Sequence, residues 1–225
     1  MDAVHMKDRM TIRATATAAR PRSTYRHGDL RRALLDAGIE LARTGGPEAV
    51  VLREATRRAG VVPNAAYRHF ESRQALLQAV RAAALAAVAR AMEAELAALA
   101  PLAEPVAFAR ASVRAVGTGY LRFAQSETGL FRMAFATPVD VEQEPDQAKG
   151  GDSGLDPFQL LGAALDRLVD AGAMPPERRP GAEFLAWSAV HGLALLVIDG
   201  PLRGLPREQV DALGQRLLDM VEKGL

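Results

Sequence analysis

The chain has 225 residues, of which 49% are hydrophobic and 24% charged, with 28 Lys and Arg against 27 Asp and Glu. This length holds one large or two small domains. The lack of cysteine excludes disulfides and thiolate metal sites. The most apolar run, residues 192–198 (GLALLVI), is too short to span a bilayer and ends at Asp199 and Gly200. The charge is balanced overall but not locally. Residues 1–90 carry 16 Lys and Arg against 8 Asp and Glu (+8), and residues 91–225 carry 12 against 19 (−7). A basic N-terminal part attracts phosphate, whereas the acidic remainder does not.

Residues 1–26 hold Lys7, Arg9, Arg13, Arg20, Arg22 and Arg26 without periodicity or a continuous apolar stretch. They read as a flexible basic arm and not as a secretory leader. Such an arm either reaches a minor groove, as homeodomain arms do, or is a tail without a role. The periodicity predicts helices over 29–43, 52–59, 63–69, 73–99, 105–125, 128–135, 157–172, 181–198 and 207–222, and nothing alternates at period two over a strand's length. Pro101, Pro105, Pro175, Pro176, Pro180, Pro201 and Pro206 stand between helices as breakers. Residues 137–157, rich in Gly, Pro and Asp, read as a mobile loop. The fold class is all-α.

Residues 52–70 (LREATRRAGVVPNAAYRHF) have the form of a DNA-reading helix-turn-helix. Leu52, Ala55 and Ala59 share one helical face. Gly60 suits the left-handed position that ends a helix, Val61 can fill the angle between the helices, and Pro63 suits the first turn of the next. In that second helix Ala66 and Phe70 are i,i+4 and point inward, leaving Asn64, Ala65, Arg68 and His69 outward. Asn64 suits adenine and Arg68 suits guanine. Pro63 and Ala65 can touch a thymine methyl. Arg53 contacts backbone or a flanking base.

Residues 27–90 resemble the DNA-binding domain of the TetR family of bacterial repressors. The resemblance rests on LRRALLDAGIELAR (30–43), the TGG turn at Thr44, Gly45 and Gly46, the RxAGV run at 57–61 and, above all, AYRHFESRQALLQAV (66–80). Two positions depart from the family pattern: Val62 replaces a polar residue, and Ala66 is smaller than usual. The resemblance implies that Tyr67, His69 and Arg73 contact phosphate. It divides the chain into the arm (1–26), a three-helix reading domain (27–85), and a larger helical domain (86–225) for ligand binding and dimerisation. FLAWSAVHGLALLVIDG (184–200) resembles the Trp-His-Gly signature of one C-terminal subfamily, here Trp187, His191 and Gly192; GLFRMAF (129–135) and Pro175–Pro176 also fit.

Other motifs carry less. GDSG at 151–154 is similar to the nucleophile region of trypsin-like proteases, but that chemistry needs an all-β scaffold. The four His are scattered with no i,i+4 pair, which argues against a metal site. Phe108, Tyr120, Phe123, Phe131, Met133, Phe135, Phe158 and Trp187 are each either core or pocket wall, and His191, four residues after Trp187 on a very apolar helix, is either a satisfied core histidine or a ligand contact. Tyr120, Phe123, Phe131, Trp187 and His191 are the expected lining of a mostly apolar pocket among helices 105–125, 128–135, 157–172 and 181–198.

The expectation is a cytoplasmic, non-enzymatic, ligand-responsive repressor with no cofactor. It binds a palindromic double-stranded DNA operator and a hydrophobic or amphipathic effector. The resemblance implies a homodimer formed through the last two helices, with Leu185, Val190, Leu193, Leu196 and Val197 on one and Val210, Leu213, Leu217, Leu218 and Val221 on the other. The alternative is an architectural DNA-binding protein without ligand control.

Overall fold

The structure, a computed structural model, describes residues 27–100, 104–136 and 147–224; the basic arm lies outside the described residues. Nine α-helices and two short 3₁₀ turns make up the described chain, with no strand among them. They are α1 (His27–Ala49), α2 (Leu52–Arg58), α3 (Pro63–Ala66), α4 (Arg73–Ala97), α5 (Pro105–Ser126), α6 (Thr128–Ala134), α7 (Pro157–Asp170), α8 (Ala182–Ile198) and α9 (Arg207–Gly224).

Side-chain caps and prolines set several helix starts. Ser72 accepts from the Ala75 N–H at the start of α4. Glu104 caps α5, with Pro105 in the first turn. Asp156 and Gln159 form a reciprocal capping box at α7, with Pro157 between them. The amphipathic helices then bury one face each. Helix α5 is the central column: α4, α7, α8 and α9 all pack on it. One apolar cluster runs without a break from Leu34 in α1 through Val88 and Phe131 to Leu218 in α9. Helix α4 is the one described helix long and apolar enough to cross a membrane by length and composition, but Leu76, Val80, Leu85, Val88 and Met92 bury it in this core. Because α4 runs from the end of the reading helices into the larger bundle, the expected division at residue 85 falls within one rigid rod.

Helix α6 ties the two parts together. It packs on both α1 and α4. Arg43 of α1 pairs with Glu127 at 2.8 Å, and Arg132 forks onto Asp199 at the end of α8.

Three expectations are corrected. Helix α1 continues to Ala49, interrupted at Gly46 (φ 66°, ψ −163°), after which Pro47 opens one further turn. Helix α3 stops at Ala66; His69 N–H turns to the i−3 carbonyl of Ala66, tightening the last turn. Within the supposed mobile loop, residues 147–156 are fastened down, while 137–146 lie outside the described residues. Composition signals a lack of apolar contact but does not register backbone bonding. Here the N–H groups of Asp152 and Ser153 donate to Glu93 of α4 at 2.8 and 2.9 Å, joined by the Ser153 hydroxyl. Burial pushes the Glu93 carboxyl up, but these bonds outweigh it and hold the group below its ordinary range. The GDSG segment is thus a clasp on Glu93.

Candidate functional site

The turn between α2 and α3 is a Schellman closure. Val61 N–H reaches Thr56 O at 3.0 Å and Gly60 N–H reaches Arg57 O at 3.3 Å. Gly60 sits at φ 71°, a conformation that penalises any side chain. Thr56 is buried and donates its hydroxyl to Arg53 O at 2.7 Å. Leu52, Ala55, Ala66 and Phe70 are buried, and Arg31 lies over the Phe70 ring at 5.1 Å. The inward set of the reading helix is therefore Ala66 and Phe70, as the i,i+4 spacing predicts.

The opposite face is presented to solvent. Pro63, Asn64, Tyr67 and Arg68 are exposed, as is Arg53 of α2, and Ala65 and His69 are half-buried. Val62, which stands where the family pattern has a polar residue, is 69% exposed. The charges nearby are not equally available. Glu54 holds Arg57 at 2.6 Å and Arg58 at 3.4 Å. Its bond from Arg57, then that from Arg58, draws its pKa down to about 2. Arg53 and Arg68 form no ion pair with any described residue. The face thus offers an amide, a phenol, an imidazole and two unpaired guanidinium groups, the donor types that phosphates and base edges accept.

Arg73 is placed differently. Its Nε donates to Val50 O at 2.9 Å and a terminal nitrogen to Pro47 O at 3.2 Å. The guanidinium therefore pins the start of α4 to the α1–α2 junction. Arg73→Ala is expected to lower stability by about 1 kcal/mol, a melting shift of roughly 2–4 °C. An unchanged melting temperature by calorimetry would show that these bonds contribute nothing.

In the larger bundle, a cavity of about 130 Å³ lies between α4, α5, α7, α8 and α9. Its wall is mostly apolar: Leu85, Met92, Val113, Val116, Tyr120, Phe135, Phe158, Leu161, Trp187, Val190 and Leu218, with Arg81, Lys149, Asp156 and Gln159 as polar groups. Tyr120 and Trp187 line it. Phe123, Phe131 and His191 do not. Phe123 is buried in the core, and Phe131, fully buried, packs edge-on to Tyr120 with ring centroids 5.3 Å apart. His191 stands behind the wall. Its Nδ1 is 2.7 Å from the Tyr120 hydroxyl, which also accepts from Trp187 Nε1 at 3.2 Å. Burial lowers the His191 pKa and raises that of Tyr120, so the phenol donates to a neutral imidazole. The Trp-His pair thus grips one hydroxyl from a neighbouring helix. Sequence reasoning missed the parts of the wall from α4 and α9. A signal existed: Arg81, Leu85 and Met92 share one helical face.

Helices α8 and α9 leave an apolar surface. Phe184, Leu185, Leu195, Leu196 and Met220 are exposed by 42–69%. Of the ten expected interface residues, Val190, Val210 and Leu218 are buried inside the subunit, because they face α5. Beside this surface a wider hollow, about 370 Å³, opens between α5, α8 and α9.

Two family profiles match the chain. Residues 34–80 match the DNA-binding domain described as bacterial regulatory proteins, tetR family. Residues 113–221 match the tetracyclin repressor-like C-terminal domain. No curated protein matches. Among solved structures, a protein of unknown function from Rhodococcus sp. RHA1 shares 26% identity over 91% of this chain and 99% of its own, with a TM-score of 0.70. Bacillus subtilis FadR, a transcriptional regulator solved with stearoyl-CoA, shares 14% identity over 86% and 98%, with a TM-score of 0.60. A TetR variant from Acinetobacter baumannii AYE, solved with minocycline, shares 22% over 85% and 93%, with a TM-score of 0.53. With both profiles matched in order over more than half its length, the chain belongs to the TetR family of DNA-binding bacterial transcriptional regulators.

Proposed function

We propose that this regulator is a ligand-responsive repressor that binds a palindromic operator as a homodimer and acts in the cytoplasm. The observation that carries the reading is the solvent-facing α3 surface joined, through the single rod of α4, to an apolar cavity. Asn64 and Arg68 read base edges, Pro63 and Ala65 meet thymine methyls, Tyr67 and His69 hold phosphates, and Arg53 touches the flank. Arg73 contributes to phosphate binding mainly by positioning the start of α4. The α8–α9 surface takes the second copy. That two structural neighbours were solved with stearoyl-CoA and minocycline supports a small-molecule effector.

The proposed mechanism is a population shift. A ligand in the cavity favours a spacing of the two reading heads that mismatches successive major grooves, which lie about 34–36 Å apart. Tyr120 and Trp187, with His191 and Phe131 packed behind them, set the shape of the ligand end. The test is a compound library scored for release of a fluorescent operator duplex; an architectural DNA-binding protein would keep its DNA throughout.

Asn64→Ala is expected to relax preference at one base position, with a loss of about 1–3 kcal/mol there. Competition between single-base operator variants checks this. An identical ranking for wild type and variant would remove Asn64 from the reading set.

A further inference from the structure

We infer that the cavity selects a small carboxylate with an aryl or short alkyl body, its anionic head held by Arg81. This rests on the ligand-responsive reading above and names the ligand class. Arg81 sits eight residues into α4, between the reading helices and the cavity, and lines the cavity wall. Its Nε donates to Ala134 O, at the end of α6, at 3.1 Å. No carboxylate pairs with it among the described residues, and its two terminal nitrogens have no hydrogen bond there. No fully buried side-chain nitrogen or oxygen among the described residues lacks a partner. The free edge of the guanidinium therefore opens onto accessible space, and that edge has the fork spacing that a carboxylate matches with two parallel bonds. Burial without a counter-charge draws the Arg81 pKa below the usual arginine range. An incoming anion relieves that penalty, while a neutral ligand leaves it in place.

Lys149 and Asp156 are the other charged groups on the wall. The Asp156 carboxylate caps α7, where the Phe158 and Gln159 N–H groups bind it and the positive end of the helix dipole offsets part of its charge. The body of the ligand follows from size and lining. A cavity of about 130 Å³ is close to the roughly 150 Å³ that accepts a benzene ring. Tyr120, Phe135, Phe158 and Trp187 supply aromatic walls. A bound carboxylate would bridge α4 to α6 through one guanidinium, with Nε on Ala134 O and the terminal edge on the ligand. Helix α6 packs against α1, so the head group touches the joint between cavity and reader.

The experiment titrates the full chain with matched acid and amide pairs: 3-phenylpropionate, 4-phenylbutyrate and octanoate, each against its carboxamide. Trp187, the only tryptophan, reports binding by fluorescence, and thermal unfolding reports it independently. At least one acid is expected to bind ten-fold or more tightly than its amide. Arg81→Gln, which keeps a donor for Ala134 O, is expected to erase that difference. Equal binding of every pair, or an acid preference that survives in Arg81→Gln, would overturn the inference; the wild-type comparison stands even if the variant fails to fold. The two readings fail separately. If a neutral library compound releases operator DNA while no acid binds, the anionic head falls and ligand control stands. If acids bind through Arg81 without moving the DNA, ligand control falls and the Arg81 site stands.

Discussion

Replacing Leu185 and Leu196 together by glutamate is expected to yield monomers and to lower operator affinity at least about 100-fold. Leu185 is 69% exposed and Leu196 44% exposed. With Ser188 and Gly192 between them, they line one face of α8 at helical spacing. Each subunit of a dimer contributes one reading head, and joining two heads raises affinity by about 10²–10⁴ without new contacts. Two buried carboxylates facing their copies would remove that gain. These positions are better probes than Leu213 and Leu217, which are half-buried against their own subunit, so that charge there would also disturb the fold. Light scattering and operator anisotropy provide the check. A folded double variant with unchanged dimer mass would place the interface elsewhere.

Gly119→Ala is expected to destabilise the protein by about 2 kcal/mol, a melting shift of roughly 4–8 °C. Alanine in place of glycine inside a helix ordinarily adds about 1 kcal/mol. Here the added Cβ would lie 2.6 Å from both Ala91 O and Met92 Cα, the backbone of α4. Backbone cannot turn aside as a side chain can, so α4 and α5 must separate. Overpacking of roughly 1–3 kcal/mol or more outweighs the propensity gain. Gly162→Ala on α7 is the control: its nearest contact is an Arg179 nitrogen at an ordinary 3.6 Å, and its melting temperature should rise. A rise for Gly119→Ala as well would show that α4 and α5 do not approach this closely.

The reading helices were legible because local chemistry dictates them. Gly60, Pro63 and the Ala66–Phe70 spacing each specify a conformation within a few residues, and the starts of α4, α5 and α7 follow from caps and prolines of the same kind. The cavity was only partly legible. Aromatic composition picks out Tyr120 and Trp187, but it picks out Phe131 and Phe123 equally, since facing the wall or standing behind it depends on how α5 and α6 rotate against α4. Arg81 escaped notice because a lone arginine in an Ala-rich helix looks like a solvated face until the neighbouring helices enclose it. Arg73 shows the converse. Its place in the motif suggests phosphate, and its added bonds to the carbonyls of Val50 and Pro47, 23 and 26 residues away, come within reach only in the folded chain. The Glu93 clasp spans 59 residues, and no local pattern marks it.

The central claim is that two copies of the chain read two symmetric half-sites. Binding-site selection from random duplex DNA with the purified full chain tests it most directly. The account predicts an enriched inverted repeat whose half-sites present successive major grooves, about 10–10.5 base pairs or a multiple apart, bound by two chains. Enrichment of a single unrepeated half-site, or of no sequence at all, would contradict it.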